Sequence, residues 1–511
     1  MKSCAVRITL AAAVSVFLVT MSRADVKPND AGPYKVVAAS WIGGVGEDEL
    51  VGAAILPDGT LLVAGNSEGY APAGESVRHL STASLPASDS PTPSAKKGKG
   101  DSKQKGSGFV ARLSADGSKL LSLADMAGSR IVRMKVDGGG TPFVLAKAGG
   151  DTTIAGVSGS GSFVARLAPD LKQVNGCLFV EGADDFGIDA NGEVVVLTKG
   201  RVSRFSADGK TQKWSEPFAS TGDNRPGGID VDSKSGTAVV TGYGMTRTGH
   251  EPYKDPYAYG FSREGKQVWA IWNPDPKREV DAKFGGNGLM ADTTGKAVFA
   301  GADGMIDILL FADGGNSVCT RDPLNPDKKL DPAIMQGVYQ AGPGFGFRGA
   351  SKTSIIFRVD PATGKLLKGT WMSAWLNPQH ANGLGMNGAA ADEQGTTFIV
   401  GDSASGCPTK EPWFVAPPGG YRGGGYLAIF DKNFQMQQCG YFPGSSMKAV
   451  ACRNGTVLIV GSAAAGNKAK DPGNASAPET AYPVPTRNPL QSAFAGGEKD
   501  GYFVVLSRTA R

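Results

Sequence analysis

Two segments of the chain share residue types that suit the recognition of a sugar. AIWNPDPKREVDAKFGGNG (270–288) and SAWLNPQHANGLGMNG (373–388) each contain a Trp, an Asn-Pro pair, a polar stretch and a final Asn-Gly. An aromatic ring stacks on the apolar face of a sugar, and neighbouring amides fix its hydroxyl groups. The alternative is structural: the Trp side chains fill gaps between structural units and the Asn-Pro pairs shape turns. The candidate ligand-binding residues are Trp272, Asn273, Asn287, Trp375, Asn377 and Asn387.

Two histidines join this candidate site, because His is the usual proton shuttle and metal ligand near neutral pH. They are His250 and His380, and solvent-exposed polar residues are the alternative. Nearby carboxylates supply candidates for an acid–base pair in glycan cleavage, but spacing alone brings no two of them within reach. The sequence contains no zinc-protease motif and no phosphate loop, and we expect no metal and no cofactor. These carboxylates are Asp223, Asp275, Glu279, Asp281 and Glu411.

The elements that position these residues come from a repeat. Gly52 to Asn66, GAAILPDGTLLVAGN, reads as two short apolar runs joined by the turn Pro57-Asp58-Gly59. The sequence contains seven such segments, at 52–66, 132–147, 187–200, 228–244, 288–303, 388–403 and 450–463. The runs have the length and β-branched content of strands, and the joints carry Gly, Asp or Asn, which tolerate the positive φ of a tight hairpin. A second pair of runs follows each hairpin, so each repeat predicts four antiparallel strands.

Four-stranded units repeated in a ring are the blades of a β-propeller, which leaves only short, protected sheet edges. The seventh unit ends with YFVVLSRTAR at Arg511 and is one strand short. YKVVAASWIGG (34–44) precedes the first unit and is one strand too many. We therefore expect an all-β, seven-bladed propeller over 25–511, in which this N-terminal strand completes the last blade and closes the ring.

The lengths of the connections predict where a function is built. We label the strands of each blade A to D from the central channel outward. The B–C connections and D–A crossovers leave a blade on one face, here called the top face, and the short A–B and C–D turns lie on the bottom face. Long loops on one end of a rigid scaffold favour a binding site there. The long B–C connections are 67–107, 148–161, 244–257, 303–353, 404–425 and 463–500.

Two of these connections stand out by composition. Residues 71–107 are poor in apolar residues and rich in Ser, Pro and Lys, which predicts a disordered loop. Residues 303–353 contain an apolar run among Gly and Pro, and we expect a large insertion that packs over the top of the ring.

Residues 1–24 have the pattern of a cleavable signal peptide, with Lys2 and Arg7 in a basic head, an apolar middle and a small-x-small site ending at Ala24. We expect cleavage near Ala24 and a secreted or periplasmic protein; an uncleaved anchor is the alternative. No later stretch reaches the roughly 20 apolar residues of a membrane span. Removing the three basic residues of this segment lowers the formal net charge from +5 to +2, which argues against nucleic-acid binding.

The cysteines do not form a recognisable framework. Five follow the signal peptide, an odd number at irregular spacing, and no CxxC pair suggests zinc. Export permits disulfides, and two pairings stay open, Cys439 with Cys452 or Cys407 with Cys439. The five are Cys177, Cys319, Cys407, Cys439 and Cys452.

Several motifs carry a family resemblance. SWIGGVGEDELVGAAILPDGTLLVAGNS (40–67) resembles the Gly-Gly-x-Gly-x-Asp, strand, Asp-x-x-Gly, strand order of the bacterial secreted seven-bladed β-propeller family (SBBP-like repeats), and FVARL at 109–113 and 163–167 is similar to its third strand. The resemblance implies export and a propeller fold, and no catalytic residue. In YPVPTRNPLQSAFAGGEKDGYFVVLS (482–507) the matching positions are Tyr482-Pro483, Thr486, Gln491, Gly496-Gly497, Asp500 and Phe503-Val504.

These features together predict an exported, monomeric propeller that acts as a non-catalytic binding or scaffold module through its top face. The expected partner is a carbohydrate or a cell-surface protein. The alternative is a polysaccharide hydrolase or lyase with its site at the channel mouth, which requires two or more titratable groups to face one pocket with shifted pKa values.

Overall fold

The computed structural model of the protein describes residues 27–69, 78–79, 81–83, 106–218, 223–248, 251–272, 293–312, 322–324, 328–335, 339–340, 353–377, 380–403, 406–415, 424–464, 467–469, 480–482 and 484–509. These residues form seven four-stranded antiparallel sheets with the strand order A-B-C-D. The predicted seven-bladed β-propeller is thereby confirmed. No helix within these ranges is long and apolar enough to cross a membrane.

The strands of blades 1 to 4, each in the order A to D, are Asp48–Ile55, Leu61–Ser67, Ser107–Leu113, Leu120–Met126; Ser129–Val136, Pro142–Ala148, Ser162–Leu167, Val174–Phe179; Ala183–Ile188, Val194–Thr198, Arg201–Phe205, Gln212–Pro217; Asp223–Val231, Ala238–Thr248, Glu251–Phe261, Gln267–Ile271. Those of blades 5 to 7 are Thr293–Ala300, Ile306–Ala312, Thr353–Val359, Leu366–Asn377; Leu384–Ala391, Thr397–Ser403, Gly424–Phe430, Met436–Pro443; Ser445–Arg453, Thr456–Ala463, Asp500–Arg508, Tyr34–Ile42. Short strands outside this pattern are Lys27–Pro28, Arg78–His79, Ser81–Ala83, Thr152–Ile154, Val157–Gly159, Tyr339–Gln340, His380–Asn382, Phe414–Val415, Asn467–Ala469 and Thr480–Tyr482.

The N-terminal strand closes the ring as the strand count predicts. Tyr34–Ile42 pairs antiparallel with Asp500–Arg508 and becomes strand D of blade 7. Its Trp41 packs edge-on against Tyr502, with ring centroids 5.7 Å apart. We call Tyr34–Ile42 the closing strand.

The hairpin turns form because their Gly and Asp residues suit the backbone of a tight turn, as the sequence indicates. In the A–B turn of blade 1, Gly59 has a φ of +81°, which glycine adopts without a Cβ clash. Its N–H donates to the Leu56 carbonyl at 2.9 Å, and the Asp58 carboxylate accepts the Thr60 N–H at 3.0 Å. A tight turn of this kind fixes the register of the two strands that follow it.

The core lies between neighbouring blades and not within any one of them. One cluster joins Phe143 and Leu145 of blade 2 to Phe186 and Val196 of blade 3. Because both faces of each sheet are covered, the inner strands read as continuous apolar runs such as LLVAG and VVVL. Burying each large apolar side chain contributes about 1.5–3 kcal/mol, so the ring is stabilised mainly across its blade interfaces.

In blades 1, 5, 6 and 7, described parts of the long B–C connections pair with the outer strand of the blade. Arg78–His79 pairs in parallel with strand D of blade 1, and Tyr339–Gln340 does the same in blade 5. In blade 6, Lys410 pairs with strand D, and in blade 7, Arg487 pairs with the closing strand. These segments cover edges that would otherwise expose unpaired backbone groups. The described part of the insertion expected over the ring therefore lies on the outside of blade 5.

Blade 5 is displaced along the sequence relative to the hairpin predicted at 288–303. Its strand A is Thr293–Ala300, and the apolar run Ile306–Ala312, expected at the start of the insertion, is strand B. The A–B turn lies at Gly304, whose φ is +82°. Gly295, which the pattern placed in the turn, lies inside strand A, where its Cα closely approaches the backbone of blade 4. The B–C connection of blade 5 thus begins after Ala312.

The loop predicted at 244–257 in blade 4 is a second difference. Strands Ala238–Thr248 and Glu251–Phe261 continue to pair as far as Thr248 and Glu251. The surplus residues of this blade therefore lengthen a hairpin and do not form a loop.

Candidate functional site

The described part of the top face contains a charged notch where blades 7, 1 and 2 meet. Glu49, at the start of strand A in blade 1, forms ion pairs with Arg130 of blade 2 and with Lys499, which precedes strand C of blade 7. The Lys499 Nζ–Glu49 Oε2 distance is 3.1 Å. Glu47 and Glu68 lie exposed on the rim, and the Glu68 N–H donates to the Glu47 carbonyl at 3.2 Å. We call these five residues the charged notch.

The basic side chains of the notch keep its central carboxylate ionised. Burial raises the pKa of Glu49, but the positive charges of Lys499 and Arg130 outweigh burial and hold this pKa below its ordinary value. Glu49 is therefore negative at neutral pH.

Two adjoining cavities open at the notch. One, of about 50 Å³, is lined by the charged notch together with Asp48, Asn66 and Ser67. The second, of about 150 Å³, lies between Ser67, Phe109 and Asp125 and extends to Leu123 and Gly69. Ser67 lines both, so the two cavities lie side by side at the top of blade 1, and we call them together the polar depression.

Asn66 holds the notch in place across two blades. Its Nδ2 donates to the Ile131 carbonyl at 3.0 Å and its Oδ1 accepts the Ile131 N–H at 2.7 Å. Asp402, at the end of strand B in blade 6, acts similarly and accepts the Met447 N–H of blade 7 at 3.0 Å. A polar residue at this strand end therefore fastens one blade to strand A of the next.

Two buried carboxyl groups meet beneath the notch, at the junction of blades 7 and 1. Asp48 is 1 % exposed and Asp500 is fully buried, and the two carboxyl groups lie close enough for each to shift the pKa of the other. Asp48 Oδ2 accepts the Gly44 N–H at 2.7 Å, and Asp500 Oδ2 accepts the Ala495 N–H at 2.6 Å. Among the described residues the two Oδ1 atoms have no hydrogen-bond partner. Two buried carboxyl groups this close are not both ionised without a large cost, so we expect the pair to share a proton.

Glycine-rich loops allow the two carboxyl groups to approach. Gly497 has a φ of +73°, and a Cβ on it would lie 2.4 Å from the carbonyl oxygen of Gly46. No larger residue fits this contact without moving a backbone. The loops before Asp48 and Asp500 therefore pack backbone against backbone.

The shared proton makes this junction sensitive to pH. Burial is the main cause that raises the pKa of Asp500 to about 6, and the neighbouring Asp48 adds to the rise. Burial also raises the pKa of Asp48. Because the folded state holds the proton more tightly than the unfolded chain, this stabilisation is complete below about pH 4 and is lost as the pH rises through about 6. The shift in Asp500 corresponds to about 3 kcal/mol, at about 1.36 kcal/mol per pKa unit.

We expect Asp500→Asn to remove this pH dependence. The amide oxygen still accepts the Ala495 N–H, and the amide NH₂ donates permanently to Asp48, so no proton is needed. The free energy of unfolding, measured by denaturant titration, should rise by about 1–3 kcal/mol at pH 8 and no longer fall between pH 4 and 6.

Asp116→Asn is the matched control, because Asp116 is an exposed carboxylate whose pKa is lowered to about 2, first by the Ser114 hydroxyl. This variant should retain the fall in stability between pH 4 and 6. A wild-type protein whose stability is flat over that range, or an Asp500→Asn variant weaker than wild type at pH 8, contradicts the shared proton.

Three of the residues predicted to bind a ligand lie on two paired strands at the crossover from blade 5 to blade 6. Trp375 and Asn377 end strand D of blade 5, and the short strand that begins with His380 folds back onto it, with Asn377 opposite His380. The predicted residues that lie outside the described part of the chain are Asn273, Asn287 and His250.

Asn387 and Trp272 take part in contacts between blades. Asn387 Nδ2 donates to Asp402 Oδ2 at 2.8 Å and to the Met447 carbonyl at 2.7 Å, which links blade 6 to blade 7. Trp272 is 1 % exposed, and its ring centroid lies 5.4 Å from that of Phe357 in blade 5. The ring of Trp272 fills the space between blades 4 and 5. This is the structural alternative to sugar binding, in which the Trp side chains fill gaps between units.

Sequence reasoning missed the charged notch and the carboxyl pair beneath it. The only signal was the repeated order of a Gly pair followed by Asp, GGVGED at 43–48 and GGEKD at 496–500, which the family resemblance already contains. Nothing in the sequence showed that the two motifs touch, or that Arg130 completes the site from a third blade.

The strand order, the closing strand and the notch define this protein as a seven-bladed β-propeller with a polar depression on its top face. No protein-family model and no curated protein matches the chain. A chain of the crystal structure of the mitotic checkpoint complex is 9% identical with a TM-score of 0.41, covering 90% of this chain and 96% of that chain. BamB from Moraxella catarrhalis is 10% identical with a TM-score of 0.33, covering 80% and 82%. At these values the likenesses identify no family, and the fold assignment rests on the strand pairing.

Proposed function

We propose that this chain is an exported, non-catalytic β-propeller that binds a protein partner through the charged notch on its top face. The partner presents a Lys or Arg side chain, which enters the cavity between Glu47, Glu49 and Glu68. The adjoining cavity at Phe109 accepts a neighbouring side chain of the same partner.

The charges and dimensions of the depression support this proposal. Three glutamates line the smaller cavity; Glu49 is already paired with Arg130 and Lys499, whereas Glu47 and Glu68 are exposed on the rim. Cavities of about 50 and 150 Å³ admit single side chains, and they are far smaller than the roughly 300–1,000 Å³ of sites that enclose whole small molecules. A protein surface that inserts side chains one by one matches this shape.

The rigidity of the notch supports binding with little loss of entropy. Asn66 bonds both backbone groups of Ile131, and the loops beneath the notch are packed backbone against backbone. Side chains that are already held in place do not have to be ordered when a partner arrives, and this preorganisation contributes to affinity.

Export and the family assignment are part of the same proposal. The pattern of residues 1–24 supports cleavage near Ala24 and release into the periplasm or the medium. The Gly-Gly-Asp motifs and the FVARL segments support a place among the bacterial secreted seven-bladed propellers. Fractionation of cells that express the full chain, with N-terminal sequencing of the product, tests both cleavage and location.

We expect Glu47→Lys together with Glu68→Lys to weaken partner binding at least tenfold, about 1.4 kcal/mol, with the larger loss at low salt. The partner is first identified by cross-linking and mass spectrometry of the exported protein, and the affinity of the purified pair is then measured. The matched control is Glu264→Lys with Glu393→Lys, which makes the same charge change in exposed turns of the bottom face. The control should bind within about twofold of wild type.

Equal losses in the two double variants, or none in either, would refute a notch-specific interface. A glycan array tests for a carbohydrate ligand in place of a protein partner. Carbohydrate binding by Trp375, Asn377 and His380 stays a prediction. Shortening of a polysaccharide by the purified protein would favour the hydrolase or lyase alternative.

A further inference from the structure

The described part of the B–C connection in blade 6 is fastened to the outer strand of its own blade. The Lys410 N–H donates to the Cys439 carbonyl at 2.9 Å, and the Cys439 N–H donates to the Lys410 carbonyl at 2.8 Å. Lys410 Nζ also donates to the Met436 carbonyl at 2.6 Å. We call residues 406–415 the blade 6 clasp.

The clasp also contacts the strand that closes the ring. Trp413 Nε1 donates to the Tyr34 carbonyl at 2.9 Å, and the Trp413 ring stacks on Phe442 with centroids 5.5 Å apart. The Asn29 N–H donates to the Trp413 carbonyl at 2.7 Å. Through these contacts the clasp connects blade 6 to the beginning of the closing strand in blade 7.

Two cysteine side chains meet where the clasp begins. Cys407 is 6 % exposed and Cys439 is fully buried; both side chains belong to one core cluster, and Cys439 lies close enough to Cys407 to raise the pKa of its thiol. The Cys407 N–H donates to the Tyr441 Oη at 2.7 Å, which fixes the backbone of Cys407 beside strand D. Cys452, the other partner considered for Cys439, lies in strand A of blade 7 and packs against a different core cluster.

We propose that Cys407 and Cys439 form a disulfide bond that staples the blade 6 clasp to strand D. The oxidant is an exchangeable disulfide, of the class that oxidises exported proteins. The two protein thiols together lose two protons and two electrons, and one S–S bond forms between them. The S–S bond of the oxidant breaks, and its two sulfur atoms take up these electrons and protons. The products are one protein disulfide and one reduced dithiol.

The bond forms while the chain folds. Burial, and then the neighbouring Cys439, raise the pKa of Cys407 well above its ordinary value, so the folded protein contains little of the reactive thiolate. During folding both thiols are in contact with solvent and exchange freely. Folded, reduced protein should therefore be oxidised slowly, whereas protein refolded with an oxidant should be oxidised completely.

Peptide mapping of the full chain tests this proposal. The protein is refolded with a mixture of oxidised and reduced glutathione, denatured, alkylated and digested without reductant. We expect a linked peptide that contains Cys407 and Cys439, with Cys177 and Cys452 alkylated. Reductant, or Cys407→Ser with Cys439→Ser, should lower the melting temperature by about 5 °C, since the bond closes a loop of about 30 residues.

Cys452→Ser is the matched control and should keep the full response of the melting temperature to reductant. Quantitative alkylation of Cys407 or Cys439 in the refolded protein, or a link from either to another cysteine, overturns the proposal. If the double Ser variant does not fold, the peptide map and the effect of reductant on wild type decide the question by themselves.

Discussion

A chain that begins at Gly43, and so lacks the closing strand, is expected to lose the folded ring. Strand C of blade 7, Asp500–Arg508, pairs on its outer side with Tyr34–Ile42. Within the described residues it has no other partner on that side. Without the closing strand, this strand becomes an exposed apolar edge in the middle of the largest core cluster.

The size of the loss follows from the buried side chains. Tyr34, Val36, Trp41 and Ile42 are each less than 5 % exposed. At about 1.5–3 kcal/mol for each large apolar side chain, their removal costs about 6–12 kcal/mol. That is comparable to the whole stability of a typical protein, about 5–15 kcal/mol. The truncated chain should therefore be unfolded, aggregated or assembled through exchanged strands.

Circular dichroism and size-exclusion chromatography measure this outcome. A chain that begins at Ala31 is the control, because it keeps the closing strand and should stay folded and monomeric. A synthetic peptide of residues 31–44 added during refolding should restore folded protein in a saturable manner. A Gly43 chain that is monomeric and melts like the control would show that the ring does not depend on closure.

Replacing Arg358 by Met is expected to cost about 3–5 kcal/mol, because it leaves a buried carboxylate without its partner. Arg358, in strand C of blade 5, holds Asp307 with two bonds, Nε to Oδ1 at 3.1 Å and Nη2 to Oδ2 at 3.2 Å. It also donates to Thr397 Oγ1 at 2.7 Å and to the Gly395 carbonyl of blade 6 at 3.1 Å. Asp307 is only 2 % exposed, so water cannot replace the lost bonds.

Two comparison variants give this prediction its specificity. Arg112, on strand C of blade 1, pairs with Asp58, but these side chains are 20% and 52% exposed, so Arg112→Met should cost less than about 1 kcal/mol. Combining Arg358→Met with Asp307→Leu should recover part of the loss, since it removes the unpaired Asp307 carboxylate, while Asp303, 3.4 Å from Arg358 Nη1, still loses its partner. Denaturant unfolding of wild type, Arg358→Met, Asp307→Leu and the double variant gives the coupling energy. Equal costs at Arg358 and Arg112, or no recovery in the double variant, would contradict a buried ion pair.

The repeat was predictable because its cause is local. A turn such as Pro57-Asp58-Gly59 fixes its own backbone angles and sets the register of the two strands beside it. Counting strands then predicted ring closure, since a seventh blade with three strands needs one from elsewhere. This reasoning failed where two turn signals compete, as in blade 5, because both Gly295 and Gly304 look like turn residues in sequence. The close approach of blade 4 to Gly295 decided between them.

The candidate site was less predictable, because its parts come from different blades. The Trp and Asn-Pro segments suggested a sugar site, yet Trp272 is buried between blades. Likewise, the lengths of the B–C connections predicted loops over the top face. Described segments of these connections instead pair with outer strands, because a strand edge without a partner exposes unpaired backbone groups.

By itself, the sequence determined the number of blades, most of their strands and the strand that closes the ring, because these follow from hairpin turns and apolar runs within a few tens of residues. Only the tertiary structure decided which side chains meet. Asp48 and Asp500 are 452 residues apart in the sequence and lie close together because closure places blade 7 beside blade 1. Glu49, Arg130 and Lys499 likewise form one notch from three blades, and no local pattern encodes a contact that exists only once the ring is complete.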